Sequence, residues 1–322
     1  MGREPKVALI GATGAVGHQL IDLIAARSFA QSGLRLFSSE TGSPTTLTIG
    51  ETDYLVEQYG SPSGLAGFDV VFLALTCSHA ADIIRAAPGP ILIDLSAATE
   101  PPTQVPMVSP GLTSRERIVE LKGKRLFAIP HPVAHVLASC IRTLDIKSGF
   151  VASIAMLGAS AGGREQVAEV VKQSVDLLNA RLSLDDEETQ VGFNAIVDDR
   201  DRSLARAIAA QTAALVEHPI QISVSAISIP VLHGSALSIQ IPGGPELAAS
   251  TERLRAAPGI LIAEDAEPLG VIDAVGQEAI IVKPESDAGA LSLWCMFDNA
   301  RLAALLALWV AETFGPASSS LD

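Results

Sequence analysis

The stretch "KVALIGATGAVGHQLIDLIAAR", residues 6–27, decides the fold. It opens with a short apolar run that contains β-branched residues, a composition typical of a buried strand. Three glycines follow, and after them the apolar residues recur at the spacing of one helix face. A strand, a glycine-rich turn and a helix in this order are typical of the start of a dinucleotide-binding domain.

Each glycine of the turn has a separate physical reason to be there. Gly11 allows the tight turn, Gly14 lets a pyrophosphate approach the backbone at the helix start, and Gly17 allows close packing of helix on sheet. The alternative is a turn that is kept for packing and binds nothing. The residues that we expect to contact a dinucleotide here are Gly11, Thr13, Gly14, Ala15 and Val16.

The end of the second predicted strand, "LRLFSS" at 34–39, bears on the choice between NAD and NADP. Ser38 and Ser39 can donate hydrogen bonds to a 2′-phosphate, whereas Glu40 repels a phosphate and can accept from a ribose hydroxyl. These signals oppose each other, so the sequence leaves the preference open. A solvated turn that contacts no cofactor is the other interpretation of these residues.

The remaining pattern predicts two domains. Apolar runs at 69–75 and 90–96 alternate with helical segments, which predicts an α/β fold of the Rossmann type with a doubly wound parallel sheet. After about residue 148, long amphipathic helices accompany a strand at 150–157 and an alternating run at 220–241. This second pattern of helices and strands predicts an α+β domain with a sheet that is covered on one face.

Composition excludes several kinds of partner. The formal net charge is −14, from 36 acidic and 22 basic residues, and aromatic residues make up 4% of the chain. Such a surface repels nucleic acid and anionic membranes, so we expect neither as a partner. The longest apolar run near the end, residues 302–311, is about half the length of a membrane span.

Cysteine usage indicates a reducing compartment. Cys77, Cys140 and Cys295 are odd in number and widely spaced, and they form no pattern typical of a metal site. We therefore expect free thiols, a cytoplasmic location and no bound metal.

Seven segments, taken in order, resemble the aspartate-semialdehyde dehydrogenase family over nearly the whole chain, and its Usg-type branch most. They are "VALIGATGAVG", "LFSSETG", "DLSAATEPPTQVPMVSPGL", the segment at residue 130, "FN" at 193–194, "IPVLHG" at 229–234 and "WCMFDNARLAALLALWVAE". The resemblance implies NADP or NAD as cofactor and a homodimer. It also implies a Rossmann domain at 1–129 completed by a C-terminal helix at 298–322, with an α+β domain for dimerisation and catalysis at 130–297.

Family members attack an aldehyde with a cysteine thiolate at a helix start, where a low thiol pKa makes the attack possible. By the resemblance, that cysteine position falls on His131 or Pro132, and neither residue can form a thioester. Cys140 lies more than two turns further on and is expected to be a core residue. The sequence therefore predicts a nucleophile site without a nucleophile.

Other family positions are changed as well. The glutamine position falls on Leu157, the substrate-binding arginine on Ser228 and the general-base histidine on Ser235. The phosphate-binding arginine position falls on Glu100, and the arginine position after the Ser-Ser pair falls on Glu40. A family loop is kept in outline at 159–163, and by the resemblance Ser160 and Gly162 are cofactor contacts.

Four further polar residues allow both a functional and a structural interpretation. His131 and His135 are four residues apart at a helix start, which suits a metal pair or a base, or else polar packing. His233 and Arg164 can meet an anionic ligand or can simply be solvated. Asn194, in the "FN" segment, is expected to be structural.

Three hypotheses for the function follow. The first is a homodimer that binds NAD(P), does not run the thiol-based reaction, and has a binding or scaffold role, with another metabolic enzyme as a possible partner. The second is an NAD(P)-dependent oxidoreductase for an aldehyde or oxo group on a less anionic substrate. The third is a structural subunit without a ligand.

Overall fold

The computed structural model describes residues 4–30, 33–38, 45–49, 52–86, 89–96, 105–185, 188–263, 268–287 and 289–316. The chain divides into two compact units, one formed by Met1–His131 with Ala303–Asp322 and the other by Pro132–Leu302. Ser39, Glu40 and Glu100, which the sequence analysis singled out, lie outside the described residues.

The first unit is built on a seven-stranded sheet. Its strands are Val7–Ile10 (β1), Leu34–Ser38 (β2), Thr45–Ile49 (β3), Thr52–Gln58 (β4), Val70–Leu73 (β5), Ile91–Asp94 (β6) and Leu126–Ala128 (β7). They lie in the order β3-β4-β2-β1-β5-β6-β7. Only the pair of β3 and β4 is antiparallel, and the other neighbours are parallel. The predicted Rossmann-type parallel sheet is confirmed.

Within the described ranges, eight α-helices accompany the strands. They are Ala15–Ala26 (α1), Cys77–Ala86 (α2), Arg115–Leu121 (α3), Pro132–Thr143 (α4), Arg164–Leu178 (α5), Asp199–Val216 (α6), Leu247–Ala256 (α7) and Asn299–Phe314 (α8). Every residue of β1, β5 and β6 is buried, as expected for parallel strands covered on both faces. Phe127 stacks on Phe314 with ring centroids 4.3 Å apart, so the end of α8 packs within the first unit.

The second unit is built on a six-stranded mixed sheet. Its strands are Gly149–Leu157 (β8), Ile220–Ser228 (β9), Ser235–Pro242 (β10), Ile260–Ile262 (β11), Ile280–Asp287 (β12) and Ala290–Phe297 (β13). Their order is β11-β12-β13-β10-β8-β9. Strand β10 is antiparallel to both β8 and β13, whereas β8 and β9 are parallel.

One face of this sheet is open in the described chain. On β8, Val151 and Ala155 are fully buried, whereas Phe150 and Ile154 are 46% and 50% exposed. Ser238 on β10 pairs with Ile154 on one side and with Trp294 on the other, so these residues form one row across three strands. Trp294 is 36% exposed. We call the surface formed by Phe150, Ile154 and Trp294 the open sheet face.

Candidate functional site

The glycine turn lies at the carboxyl end of β1, between the ends of two neighbouring strands. Gly11 has φ +92°, and a Cβ at this position would lie 2.0 Å from the carbonyl oxygen of Ala74, which follows β5. The amides of Gly11 and Ala12 donate to the carbonyl of Phe37 in β2, at 2.9 and 3.1 Å. Since β2 and β5 flank β1 on opposite sides, the turn sits at the switch point of the sheet, where such folds bind ligands.

Helix α1 begins at this turn with an amino end that suits an anion. Gly14 caps it with an extended backbone (φ −77°) and gives no side-chain hydrogen bond to the helix, and no acidic residue of the described chain lies in the first turn. The first amides of a helix lack intrahelical partners and carry partial positive charge. Thr13, Gly14, Ala15 and Val16 are all partly exposed, so a phosphate can reach these amides.

Gly17 closes the motif through packing. A Cβ on Gly17 would lie 2.3 Å from the carbonyl oxygen of Gly11, so no larger residue fits without a shift of the backbone. Ser38, the last residue of β2, is partly buried, and its carbonyl accepts a hydrogen bond from Tyr59 at 3.0 Å. Because Ser39 and Glu40 are outside the described residues, the discrimination between NAD and NADP stays a prediction.

In the second unit, the sheet brings three of the changed positions together. Leu157, at the end of β8, pairs with Ser228 on β9 and with Ser235 on β10. Cross-strand partners share a face, so the three side chains are neighbours. Leu157 and Ser235 are buried and Ser228 is partly buried.

Ser235 belongs to a buried polar cluster with Ser160 and Asn299. The hydroxyl of Ser160 donates to Oδ1 of Asn299 at 3.0 Å, and the hydroxyl of Ser235 approaches the same oxygen at 3.5 Å. All three residues are less than 10% exposed. Two donors on one amide oxygen fix the amide, which leaves its nitrogen as the group that can donate to a ligand.

The backbone around this cluster is held firmly. The amides of Ala159 and Ser160 donate to the carbonyls of Val231 and Leu232, at 2.7 and 3.0 Å. Asp298 caps α8 by accepting hydrogen bonds from the amides of residues 300 and 301 at 3.1 and 3.0 Å. Asn299 was not predicted from the sequence, although a polar pair at a helix start is a signal for a fixed side chain. Gly162, at the end of the Ser160 turn, is exposed.

Ser228, at the position of the family's substrate-binding arginine, is hydrogen-bonded within the fold. Its hydroxyl donates to Oδ1 of Asp201 at 3.2 Å. Asp201 is buried and forms a capping box with Asp198 at the start of α6. This serine therefore supports a helix cap and presents no positive charge to a ligand.

The helix expected to carry the nucleophile, α4, begins at Pro132, directly after His131. His131 lies just outside the helix and His135 lies within its first turn, where it is buried. Burial lowers the pKa of His131 to about 4 and the pKa of His135 to about 4. Both imidazoles are therefore neutral at pH 7. Across the described residues, no group of three or more His, Cys, Asp or Glu side chains could hold a metal ion.

Cys140 is fully buried in the third turn of α4, as expected for a core residue. Its Sγ lies 3.9 Å from Sγ of Cys295 on β13, which is buried as well. The hydrogen bond with Cys140 and burial raise the pKa of the Cys295 thiol. Cys77, the first residue of α2, is exposed. No thiol stands at the amino end of α4.

The other polar residues singled out from the sequence are His233, Arg164 and Asn194. His233 is exposed in the turn between β9 and β10, and Arg164 is exposed at the start of α5. The side-chain amide of Asn194 donates to the carbonyl of Gln190 at 2.9 Å, which suits the structural role expected for it.

Comparison with known proteins decides the family. Residues 6–121 match the profile "Semialdehyde dehydrogenase, NAD binding domain". The chain is 33% identical over 332 aligned residues to a "USG-1 protein homolog" of Pseudomonas aeruginosa, which covers 95% of this chain and 96% of the relative. A solved structure described as a probable aspartate-semialdehyde dehydrogenase from Pseudomonas aeruginosa has a TM-score of 0.83 and 30% identity, and covers 96% of this chain and 98% of that chain. The chain belongs to the semialdehyde dehydrogenase family.

Within the family, a second USG-1 protein homolog, from Azotobacter vinelandii, is 29% identical and covers 95% of this chain and 96% of its own length. The resemblance read from the sequence motifs is thereby confirmed. The first unit of the chain contains the family's NAD-binding domain, and NAD(P) is its cofactor class. Among the helices that the structure describes, none has the length and apolar character needed to cross a bilayer.

Proposed function

We propose that this member of the semialdehyde dehydrogenase family retains NAD(P) binding, has lost the thiol-based dehydrogenase reaction, and acts as a homodimeric binding or scaffold protein in the cytoplasm. The observation that carries the proposal is the amino end of α4, which begins at Pro132 and holds no thiol. Covalent aldehyde oxidation of the family's kind requires a thiolate in that place.

The residues of the glycine turn fit a dinucleotide. Gly14 leaves the backbone bare where a pyrophosphate would approach, and the amides of Ala15 and Val16 at the amino end of α1 face no competing acidic side chain in the described chain. When bound, the dinucleotide supplies a ring that accepts or donates a hydride. What the chain itself supplies in this unit is binding and orientation.

Neither buried thiol can replace the missing nucleophile. Cys140 and Cys295 contact each other in the core and have no exposed surface. Burial and the contact with Cys140 raise the pKa of the Cys295 thiol, so Cys295 holds little of the reactive thiolate at pH 7. Cys77 is exposed but belongs to the first unit and to a different helix.

The positions of the base and of the substrate clamp also favour loss of the reaction. Ser235 is fully buried and its hydroxyl is directed at Asn299, so it has no pKa suited to proton transfer near neutrality. Ser228 donates to a buried carboxylate and cannot form the paired hydrogen bonds that an arginine gives to a substrate carboxylate. Loss of a nucleophile together with its base lowers a rate by several orders of magnitude.

The open sheet face supports a homodimer. Phe150, Ile154 and Trp294 expose large apolar side chains in a structured part of the second unit. Contiguous apolar surface on a sheet is typical of a protein–protein interface. A second copy of the chain that covers this face would remove the three side chains from water. Light scattering at micromolar concentration should therefore give the mass of two chains, and an Ile154→Lys variant should shift the mass towards one chain.

The loss of chemistry is tested by looking for the covalent intermediate. The protein is incubated with NADP and aspartate semialdehyde without phosphate, and its intact mass is recorded. We expect no acyl adduct. In a separate titration of the same protein with NADPH, the fluorescence of the ligand should still report binding. An adduct that disappears in Cys140→Ala would refute the proposal. Transfer of deuterium from 4-deuterated NADPH to an added aldehyde, without an adduct, would instead support the oxidoreductase for a less anionic substrate.

A further inference from the structure

A cleft of about 520 Å³ lies in the second unit between α6 and β9. One wall is the helix face that carries Arg202 and Arg206, and the other is the stretch of β9 from 222 to 226. Val197, which is 56% exposed, lines the cleft as well. The residues of the family's glutamine, histidine and cysteine positions do not line it.

The strand wall of the cleft is the edge of the six-stranded sheet, because β9 is the last strand of the order. Ser228 exchanges two hydrogen bonds of 2.9 Å with Ile196 on the side away from β8. Backbone groups of a strand alternate in direction, so the amides and carbonyls of Ala226, Val224 and Ile222 point to this same outer side. The cleft therefore offers a row of main-chain donors and acceptors.

The helix wall is positively charged in an acidic protein. Arg202 and Arg206 are four residues apart on one face of α6, and no acidic residue is among the described residues that line the cleft. Arg202 forms an ion pair with Asp199 at 3.0 Å, at the rim of the helix start. Arg206 forms no ion pair with a carboxylate of the described chain. The chain as a whole has a net charge of −14, so the two arginines give this cleft a local charge opposite in sign to that of the protein.

The two walls have the same repeat. Four residues of a helix rise about 6 Å, and two residues of a strand advance about 6.6 Å. A strand laid along the edge of β9 therefore places alternate side chains at nearly the axial spacing of Arg202 and Arg206 along α6. Acidic side chains at two alternate positions would each meet one arginine.

We propose that this cleft binds an extended acidic segment of another protein, which adds as a strand to the edge of β9. Two carboxylates at alternate positions of the segment pair with Arg202 and Arg206, and the residue between them points to the opposite side of the added strand. Strand addition draws its affinity from main-chain hydrogen bonds and its specificity from alternate side chains. The site is independent of the dinucleotide turn and does not require that the family's reaction be lost.

The test uses a fluorescent peptide of sequence Thr-Glu-Val-Glu-Thr, blocked at both ends, and measures its anisotropy with the full-length protein. We expect saturable binding that Arg206→Gln weakens about fivefold, the upper range for one solvent-accessible ion pair. Arg202→Gln should weaken it less, because Asp199 already competes for that guanidinium. The matched control is Arg200→Gln, since Arg200 pairs with Asp198 at 2.9 Å and does not line the cleft; it should leave the affinity unchanged.

Two altered peptides test the geometry. A peptide of the same composition with adjacent glutamates should bind more weakly, and N-methylation of the central residues should abolish binding. No binding at millimolar peptide, an equal effect of Arg200→Gln and Arg206→Gln, or full binding of the N-methylated peptide would each overturn the proposal. So would dissociation of a dimer by the peptide, because the cleft would then be an interface between two copies of the chain.

Discussion

Replacement of Gly14 by valine should separate dinucleotide binding from folding. Gly14 has φ −77°, a value that any residue adopts, and a Cβ there meets only the carbonyl oxygen of Gly11 at 3.4 Å. The fold therefore has room for the first carbon of a side chain. The same side chain would occupy the space in front of the amino end of α1, where a pyrophosphate is expected to bind.

The expected magnitudes follow from these contacts. The free energy of unfolding should change by less than about 1 kcal/mol, since no strained backbone and no core contact is involved. Loss of two charge-assisted hydrogen bonds to the pyrophosphate, at about 1.5 kcal/mol each, should cost about 3 kcal/mol of binding. That corresponds to a rise in the dissociation constant of about a hundredfold.

Two further variants serve as comparisons for Gly14→Val. Gly67→Val is the matched control, because a Cβ on Gly67 would have no neighbour within 4 Å. Gly67 also precedes the amino end of β5, whereas the glycine turn lies at the carboxyl end of β1. It should leave binding and stability unchanged. Gly11→Val should instead destabilise the fold by at least about 3 kcal/mol, since its φ is +92° and its Cβ would lie 2.0 Å from a backbone oxygen.

The assay is a titration with NADPH or NADH, followed by ligand fluorescence, with urea unfolding measured on the same samples. Unchanged affinity in a stably folded Gly14→Val protein would refute the assignment of the turn as the pyrophosphate site. Loss of stability equal to that of Gly11→Val would refute the reasoning about backbone room.

Three further predictions concern the second unit and the thiols. In the native protein a water-soluble disulfide reagent should modify Cys77 alone, and Cys140 and Cys295 should react only after denaturation, because both are fully buried; rapid modification of all three would contradict this packing. Asn299→Ala should destabilise the fold by about 2 kcal/mol in urea unfolding, since two buried serine hydroxyls lose their acceptor; an unchanged midpoint would count against the cluster. Burial lowers the pKa of His135 to about 4, so this group remains neutral in the folded protein while the unfolded chain takes up a proton below about pH 6.5. The free energy of unfolding should therefore fall as the pH drops from about 6.5 towards 4. His135→Gln should lower the number of protons taken up on unfolding in this range by about one, which makes the dependence on pH less steep. An unaltered dependence would show that His135 titrates normally.

Local patterns explain why the fold was predictable. The turn at Gly11 and Gly17 and the continuous apolar run that becomes β5 are each specified by a few neighbouring residues. The alternating run at 220–241 was predicted as sheet, and the structure divides it into β9 and β10 with a turn at 229–234. Pro230 cannot donate to a ladder and Gly234 has φ +81°, so the run breaks between them.

The polar cluster and the changed family positions of the second unit were harder to predict from the sequence. Leu157, Ser228 and Ser235 become neighbours only through strand register, which no local periodicity specifies. The family resemblance singled them out, but their hydrogen bonds came only with the structure. Ser160 and Asn299 are 139 positions apart, so their contact left no trace in the spacing of residues.

The contact between the two buried thiols was likewise not predictable from the sequence. The helical pattern around Cys140 was enough to predict that it lies in the core. Its contact with Cys295, 155 residues away, depends on how α4 packs against the sheet. The cleft beside β9 likewise requires the edge of a sheet and the face of a helix to be placed together.

The most direct test of the central claim is a steady-state assay with purified protein, aspartate semialdehyde, phosphate and NADP or NAD, followed through the absorbance of the reduced nicotinamide. The amino end of α4 holds no thiol, so we expect no rate above the enzyme-free blank, even over long times. A rate that exceeds the blank and survives Cys140→Ala would contradict the account and point to a histidine- or water-based mechanism.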